Sequence, residues 1–232
     1  MNSREAILNR IRSAVKTSSD MKADNPYAGE KIKEAIKLIT PKEQIGLVNQ
    51  FQNELEAIAG NFHIVKNIKE VSDIILKFLK NNEFKKIGIS GEEICKTAST
   101  FIKNSLPEVK IILSNELQIE ERIKELAVTE VSIVHPSFAI ADIGSLVFLY
   151  DDTGTTLPHF LCDNTFAIIY KKQIIANQFE LFEKIDSEKS KNMVFVAGPS
   201  RTADIEKVLV LGAHGPRKLT VIVIDEEQSL IK

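Results

Sequence analysis

Two segments near the end of the chain concentrate residues able to hold an anion: Gly198-Pro199-Ser200-Arg201-Thr202-Ala203-Asp204-Ile205-Glu206 and Gly212-Ala213-His214-Gly215-Pro216-Arg217. Arg201 supplies a guanidinium, Ser200 and Thr202 supply hydroxyls, and Gly198 gives a backbone that a ligand can approach. His214 adds an imidazole in the following turn. Such donors beside a helix start form a carboxylate or phosphate site. The same residues have a plainer use. Gly198 and Pro199 make a turn, Ser200 or Thr202 caps a helix, and Asp204 and Glu206 complement the dipole at its first turn. Capping accounts for every residue except Arg201, and the two carboxylates repel an anion unless Arg201 offsets them.

A second constellation is Asp142, Gly144 and Ser145, set between the apolar runs 138–141 and 146–150. A carboxylate there could act as a base or orient a polar ligand, with Gly144 allowing close approach. The alternative is a turn aspartate bonded to its own backbone. The loop Asp151-Asp152-Thr153-Gly154-Thr155-Thr156 carries hydroxyls but no lysine after its glycine, so it departs from the phosphate-loop pattern. None of the four histidines is spaced as a metal pair on a helix. His63 lies within a strand and reads as structural. His135 ends a strand before Pro136, where it could face a cleft. His159 reads as a solvated loop residue, and His214 serves equally as a ligand or as a helix C-cap contact.

The elements that must position these residues follow from periodicity. Runs 193–197 and 219–224 are short, apolar and β-rich, so both read as buried strands. Between them Ile205, Val208, Leu209 and Leu211 fall at helical spacing, which predicts a βαβ unit with the Gly198–Thr202 loop beyond a strand's carboxyl end, where such sheets bind ligands. Earlier, Ile7, Leu8, Ile11 and Val15 define an amphipathic helix capped by Ser3, and residues 17–29 read as an exposed linker. Thr40-Pro41-Lys42-Glu43 has the pattern of a capping box that opens a helix with Ile45, Val48, Phe51, Leu55 and Ile58 on one face. Helices over 71–79, 92–103 and 116–126 then alternate with strands over 62–65, 86–90, 109–113 and 128–135. From Ser137 several strands follow one another without a long helix, up to the strand 165–170 and a short helix over 178–185. The expected fold is α/β: a mostly parallel sheet with flanking helices and a mixed or antiparallel insertion. The expected organisation is an N-terminal helix and linker over 1–30, followed by one α/β domain over 31–232.

Composition narrows the function classes. The chain has 232 residues, of which 44% are hydrophobic, and a formal net charge of -2. A nucleic-acid protein is expected to show a basic footprint, so no nucleic-acid partner is expected. The two cysteines, Cys95 and Cys162, form neither a CxxC pair nor an iron–sulfur run. With no recognised cofactor motif either, no cofactor is expected and the chain is expected not to carry electrons by itself. A reducing, cytoplasmic setting is the default for such cysteine usage. The N-terminus lacks a signal-peptide pattern, and no apolar stretch approaches the roughly 18 residues of a membrane span.

Taken together, the motifs resemble the lactate-utilisation protein C family, whose members carry the LUD domain. The resemblance lies in residues 198–206 and 212–217. It continues in Ala139-Ile140-Ala141-Asp142-Ile143-Gly144-Ser145, which looks like the family's alanine-glutamate-threonine-glycine-threonine segment. It covers residues 128–226 and extends to Ser3–Arg12. It implies a fold like that of ribose-5-phosphate isomerase, glucosamine-phosphate deaminase and the CoA transferases. It also implies a role, with two iron–sulfur partner proteins, in oxidising L-lactate to pyruvate. This sequence departs from the family in having Asp142 for glutamate and Ser145 for threonine. Thr156 stands where an arginine is expected, and Leu161-Cys162-Asp163-Asn164-Thr165 keeps only the leucine and aspartate of a histidine-containing segment.

The expected function is therefore a non-redox subunit of a lactate-utilisation system that binds a small anionic metabolite. Asp142 is the expected catalytic residue. Gly144, Ser145, Gly198, Ser200, Arg201, Thr202 and His214 are the expected ligand-binding residues, with no metal ligands among them. The alternatives are a stand-alone isomerase- or CoA-transferase-like enzyme using Asp142 as base, and a non-catalytic scaffold that docks through its N-terminal helix.

Overall fold

A computed structural model describes residues 43–150, 161–185, 192–203, 209–211 and 215–225, together with residue 5. The chain divides into two compact units, residues 1–40 and 41–232, and all described residues but one belong to the second. The expected N-terminal helix and linker lie outside the described residues, Glu5 apart.

Helix α1 spans Gln44–Ala57. Glu43 has an extended backbone (φ -97°, ψ 143°) and stands before the first turn, so the expected capping box does not place it inside the helix. A tertiary contact fixes this start instead. The Gln44 side-chain amide donates to the carbonyls of Lys171 and Ile174, at 2.6 and 3.0 Å. Leu47, Val48, Phe51 and Leu55 form the buried stripe, and Ile45, expected on it, is 49% exposed.

Strand β1 (Asn61–Val65), helix α2 (Ile68–Asn82), β2 (Lys86–Ile89), α3 (Glu93–Ser105), β3 (Lys110–Leu113), α4 (Ile119–Ala127) and β4 (Val131–Val134) then alternate as the periodicity predicts. Asn67 caps α2 by accepting from the Glu70 N–H, and Glu70 reaches back to accept from the Lys66 N–H. Two further strands, β7 (Asn164–Tyr170) and β12 (Lys218–Ile224), complete a six-stranded sheet in the order β1-β12-β7-β4-β2-β3, parallel throughout. Both of its faces are covered. Val71, Ile75 and Leu79 of α2 and Cys95, Ala98 and Ile102 of α3 pack on one face against Ile87, Ile133, Phe166 and Ile222. This double burial explains the apolar runs 166–169 in β7 and 221–224 in β12.

The opposite face meets α1 and a second sheet. Strands β5 (Phe138–Ile140), β6 (Ser145–Tyr150), β8 (Ile174–Ile175) and β9 (Asn192–Val196) pair in the order β8-β5-β6-β9, with β6 antiparallel to both neighbours. This is the mixed insertion expected after Ser137, formed as a separate sheet, and β7 lies outside it in the middle of the parallel one. A short helix, α5 (Gln178–Lys184), packs Leu181 on its outer side.

One expectation fails. Residues 201–203 and 209–211 form strands β10 and β11, paired as an antiparallel hairpin, where the sequence predicts a loop up to Thr202 and then a helix through Leu211. Residues 204–208 lie outside the described residues. The spacing of Ile205, Val208, Leu209 and Leu211 fits a helix, but Val208-Leu209-Val210-Leu211 is too short to separate the two periods, and Thr202, Val208 and Val210 are β-branched. The predicted βαβ unit is absent as well, because β9 belongs to the small sheet and β12 to the large one.

Candidate functional site

The two candidate segments converge on the last turn of α1. Gly144 lies in the turn between β5 and β6 with φ +60°, and a Cβ there would stand 2.6 Å from the Leu55 nitrogen and 2.7 Å from the Glu54 carbonyl carbon. Gly198 has φ +74°, and its Cβ would meet the Ile58 side chain at 2.9 Å and the Ile58 carbonyl oxygen at 3.1 Å. Each glycine thus lets the chain touch a helix terminus, an approach the sequence reading assigned to a ligand. Ser200 donates its N–H to the Pro216 carbonyl at 2.7 Å, which ties the Gly198–Ser200 turn to the residues entering β12.

This convergence lies at the amino end of the parallel sheet. Ile58 precedes β1, and Pro216 precedes β12. The expected position beyond a carboxyl end is therefore corrected, because the strand leading into the turn, β9, runs in the other sheet.

Asp142 is exposed in its turn, and its N–H donates to the Ala176 carbonyl at 3.2 Å. Partial burial, and then the nearby Glu54 charge, raise its carboxyl above the ordinary aspartate range, against a hydrogen bond from its own backbone that lowers it. Ser145 is buried at the start of β6, paired with Ile140. Backbone pairing places Arg201 opposite Leu211 and Thr202 opposite Val210. His159 and His214 lie outside the described residues.

Comparison with known proteins places this arrangement in a family. The LUD domain matches residues 48–224. The chain belongs to the LUD-domain family. Curated relatives named lactate utilization protein C include one from Geobacillus thermodenitrificans, 33% identical over 103 residues, covering 41% of this chain and 42% of that protein. Another, from Bacillus pumilus, is 28% identical over 118 residues, covering 48% of this chain and 49% of that protein. The chain thus spans about half the length of the curated relatives it matches. The solved structure of a DUF162 family protein from Deinococcus radiodurans superposes with a TM-score of 0.54 at 16% identity, covering 79% of this chain and 99% of that one. That likeness supports the fold.

Other groups in this LUD domain are engaged structurally. His135 Nδ1 donates to the Ile168 carbonyl at 2.7 Å, and the Gln173 amide reaches His135 Nε2 and the carbonyls of Pro136 and Ser137. The imidazole sits edge-on to Tyr170 at 6.0 Å. His135 thus joins the large sheet to the small one. Among the described residues no group of three His, Cys, Asp or Glu side chains is arranged to hold a metal ion. No described helix is long and apolar enough to cross a membrane. Burial pushes the Cys95 thiol up to about 12, against a hydrogen bond from Ser90, and does the same for Cys162. Neither thiol is a thiolate near neutrality.

The sequence reading missed Glu54 as the neighbour of Asp142. It lies some 90 positions upstream on an exposed helix face, where spacing carries no signal of the contact.

Two outcomes follow from this geometry. Gly144→Ala should destabilise the domain by about 2–4 kcal/mol, because a left-handed backbone and a backbone clash add, whereas Gly215→Ala should cost under about 1 kcal/mol. There the nearest foreign atom is Ser200 Cβ, at 3.4 Å. Denaturant titration of both variants measures the contrast, and equal costs would refute it. In the folded chain at pH 8, neither Cys95 nor Cys162 should react with Ellman's reagent, and both should react once guanidinium unfolds the domain. Rapid labelling of the native protein would contradict the burial.

Proposed function

We propose that this chain serves a lactate-utilisation system as a non-redox subunit that binds a small carboxylate anion and works beside iron–sulfur partner proteins. The observation that carries the reading is membership of the LUD-domain family together with relatives named lactate utilization protein C. The convergence of the Asp142–Ser145 turn and the Gly198–Ser200 turn on one helix end, with the Gly215–Arg217 segment tied to Ser200, supports it. In this reading Arg201, next in the chain after Ser200, provides the charge that offsets Asp142 and Glu54. Ser200, Thr202 and His214 provide hydrogen bonds, and Asp142 orients the ligand's hydroxyl or keto oxygen. Gly144, Ser145 and Gly198 set the backbone that holds these groups.

The raised carboxyl of Asp142 favours a second reading, in which the isolated chain is an enzyme and Asp142 its general base.

Thermal denaturation with L-lactate or pyruvate tests the first reading. A ligand at about 100 times its Kd adds about 2.7 kcal/mol, which moves the midpoint of a domain this size by about 5–10 °C. Arg201→Ala should remove that shift and leave the ligand-free midpoint unchanged. A shift of the same size in Arg201→Ala would reject this site.

For the second reading, turnover of a carboxylated or phosphorylated metabolite by the purified chain should fall at least about 100-fold in Asp142→Asn, with its folded spectrum retained. Unchanged turnover would remove Asp142 as the base.

A further inference from the structure

A cavity of about 500 Å³ opens at the amino end of the parallel sheet, on the face that carries α2. Strand register explains its polarity. On this face Asn61 of β1 aligns with Thr220 of β12 and Phe166 of β7, and Lys218 aligns with Asn164 one step nearer the amino end. Further along the same strands and face come Val65, Ile222 and Ile168, all buried. Apolar residues therefore give way to polar ones at the cavity, although β12 and β7 are interior strands. On β4 and β2 the equivalent positions stay apolar, as Val131 and Ile87.

The cavity has two distinct ends. Ile74, Phe78 and Phe166 make an apolar one, with the two phenyl rings edge to face at 5.1 Å. Lys77, Lys218 and His63 line the rest, and no Asp or Glu is among the lining residues. Among the described residues neither lysine takes part in an ion pair or a side-chain hydrogen bond. Lysines near a helix C-terminus often complement the helix dipole, an effect confined to the last turn. Lys80 occupies that position in α2, while Lys77 lies a turn earlier and Lys218 is on a strand.

We propose that this cavity binds a phosphate monoester whose organic part is apolar or aromatic. Two ammonium groups with no ion-pair partner among the described residues match the charge of about -1.5 to -2 on a monoester near pH 7. The His63 ring and the Asn81 amide supply further hydrogen bonds, and the Phe78–Phe166 end takes the organic group. The volume falls within the usual range for small-molecule sites and exceeds the needs of a bare phosphate ion. The site lies on the opposite sheet face from Asp142 and Gly198, and it stands independently of the lactate reading.

Phenyl phosphate is the probe, followed by calorimetry and by backbone amide NMR on the full chain, with inorganic phosphate and benzoate in parallel. Phenyl phosphate should bind more tightly than either and should shift the amides of Asn61, Asn164 and Thr220. Lys77→Gln and Lys218→Gln should each weaken it about tenfold, and the double variant about 100-fold, as expected for the loss of charge-assisted hydrogen bonds. Both lysines are exposed, and the dispersion of the amide spectrum verifies that the variants fold. Arg201→Gln should leave the affinity unchanged, which separates this site from the one proposed for the carboxylate. No binding of phenyl phosphate at about 10 mM, far weaker than a millimolar site, would overturn the proposal. So would an affinity in the double variant within about twofold of the parent, or benzoate binding as tightly as phenyl phosphate.

Discussion

The last turn of α1 is the contact on which the arrangement of the two sheets depends. Its stripe of Leu47, Val48, Phe51 and Leu55 fills the space between the inner face of the small sheet and one face of the parallel sheet. Burial alone does not fix its position, because apolar contact is non-directional. Gly144 and Gly198 supply the direction. Each takes a left-handed backbone, and each brings a different segment to within contact of residues 54–58, closer than any side chain would allow. At the other end of the helix, Gln44 bonds two carbonyls beside the end of β7. A helix held at both ends then sets where the β5–β6 turn and the Gly198 turn lie. The residues singled out for chemistry depend on those two positions.

The alternating part of the fold was legible because its signals were local. Helices α2 and α3 have long apolar stripes, α2 has an Asn67–Glu70 cap, and the strands between them are short and β-rich. The region after Ser137 was legible as strands but not as a second sheet. The antiparallel pairing of Phe138 with Val147 is local, but the pairing of Leu146 with Val196 joins residues 50 positions apart. The 201–211 segment misled for a physical reason. A short apolar run that fits both a 3.6- and a 2-residue period is decided by its neighbours, and here each half pairs with the other. Gly144 was expected to let a ligand approach the backbone. What approaches it is a helix backbone, and spacing carries no information about that partner.

The rule that ligands bind beyond the carboxyl ends of parallel strands rests largely on the helix N-termini gathered there, with their free N–H groups and positive dipole ends. In this protein those termini carry acid. Glu70 lies in the first turn of α2, Glu93 in that of α3, and Glu120 and Glu121 in that of α4. Glu70 also accepts a backbone N–H that an anion would otherwise take. The edge is further closed by the His135–Gln173 contacts and by an ion pair between Lys171 and Asp225 at 2.8 Å. That pair is partly exposed and adds little stability, yet it uses the charge of the lysine that follows β7.

Electrostatics therefore favour the opposite edge for an anion. A helix C-terminus is a poor anion site by itself, since its carbonyls present the negative end of the dipole. Cations must outweigh that field, and the chain places Lys77 and Lys218 there, with Arg217 close by and only loosely paired to Asp163 at 3.6 Å. A surface lysine whose only use is solubility has no reason to recur on a helix and on an interior strand around the same concavity. The cavity at the amino edge thus gathers two lysines with no carboxylate in its lining, and the helix starts at the carboxyl edge carry Glu70, Glu93, Glu120 and Glu121. At this cavity and at those helix starts the side chains oppose the polarity that the backbone dipoles set up.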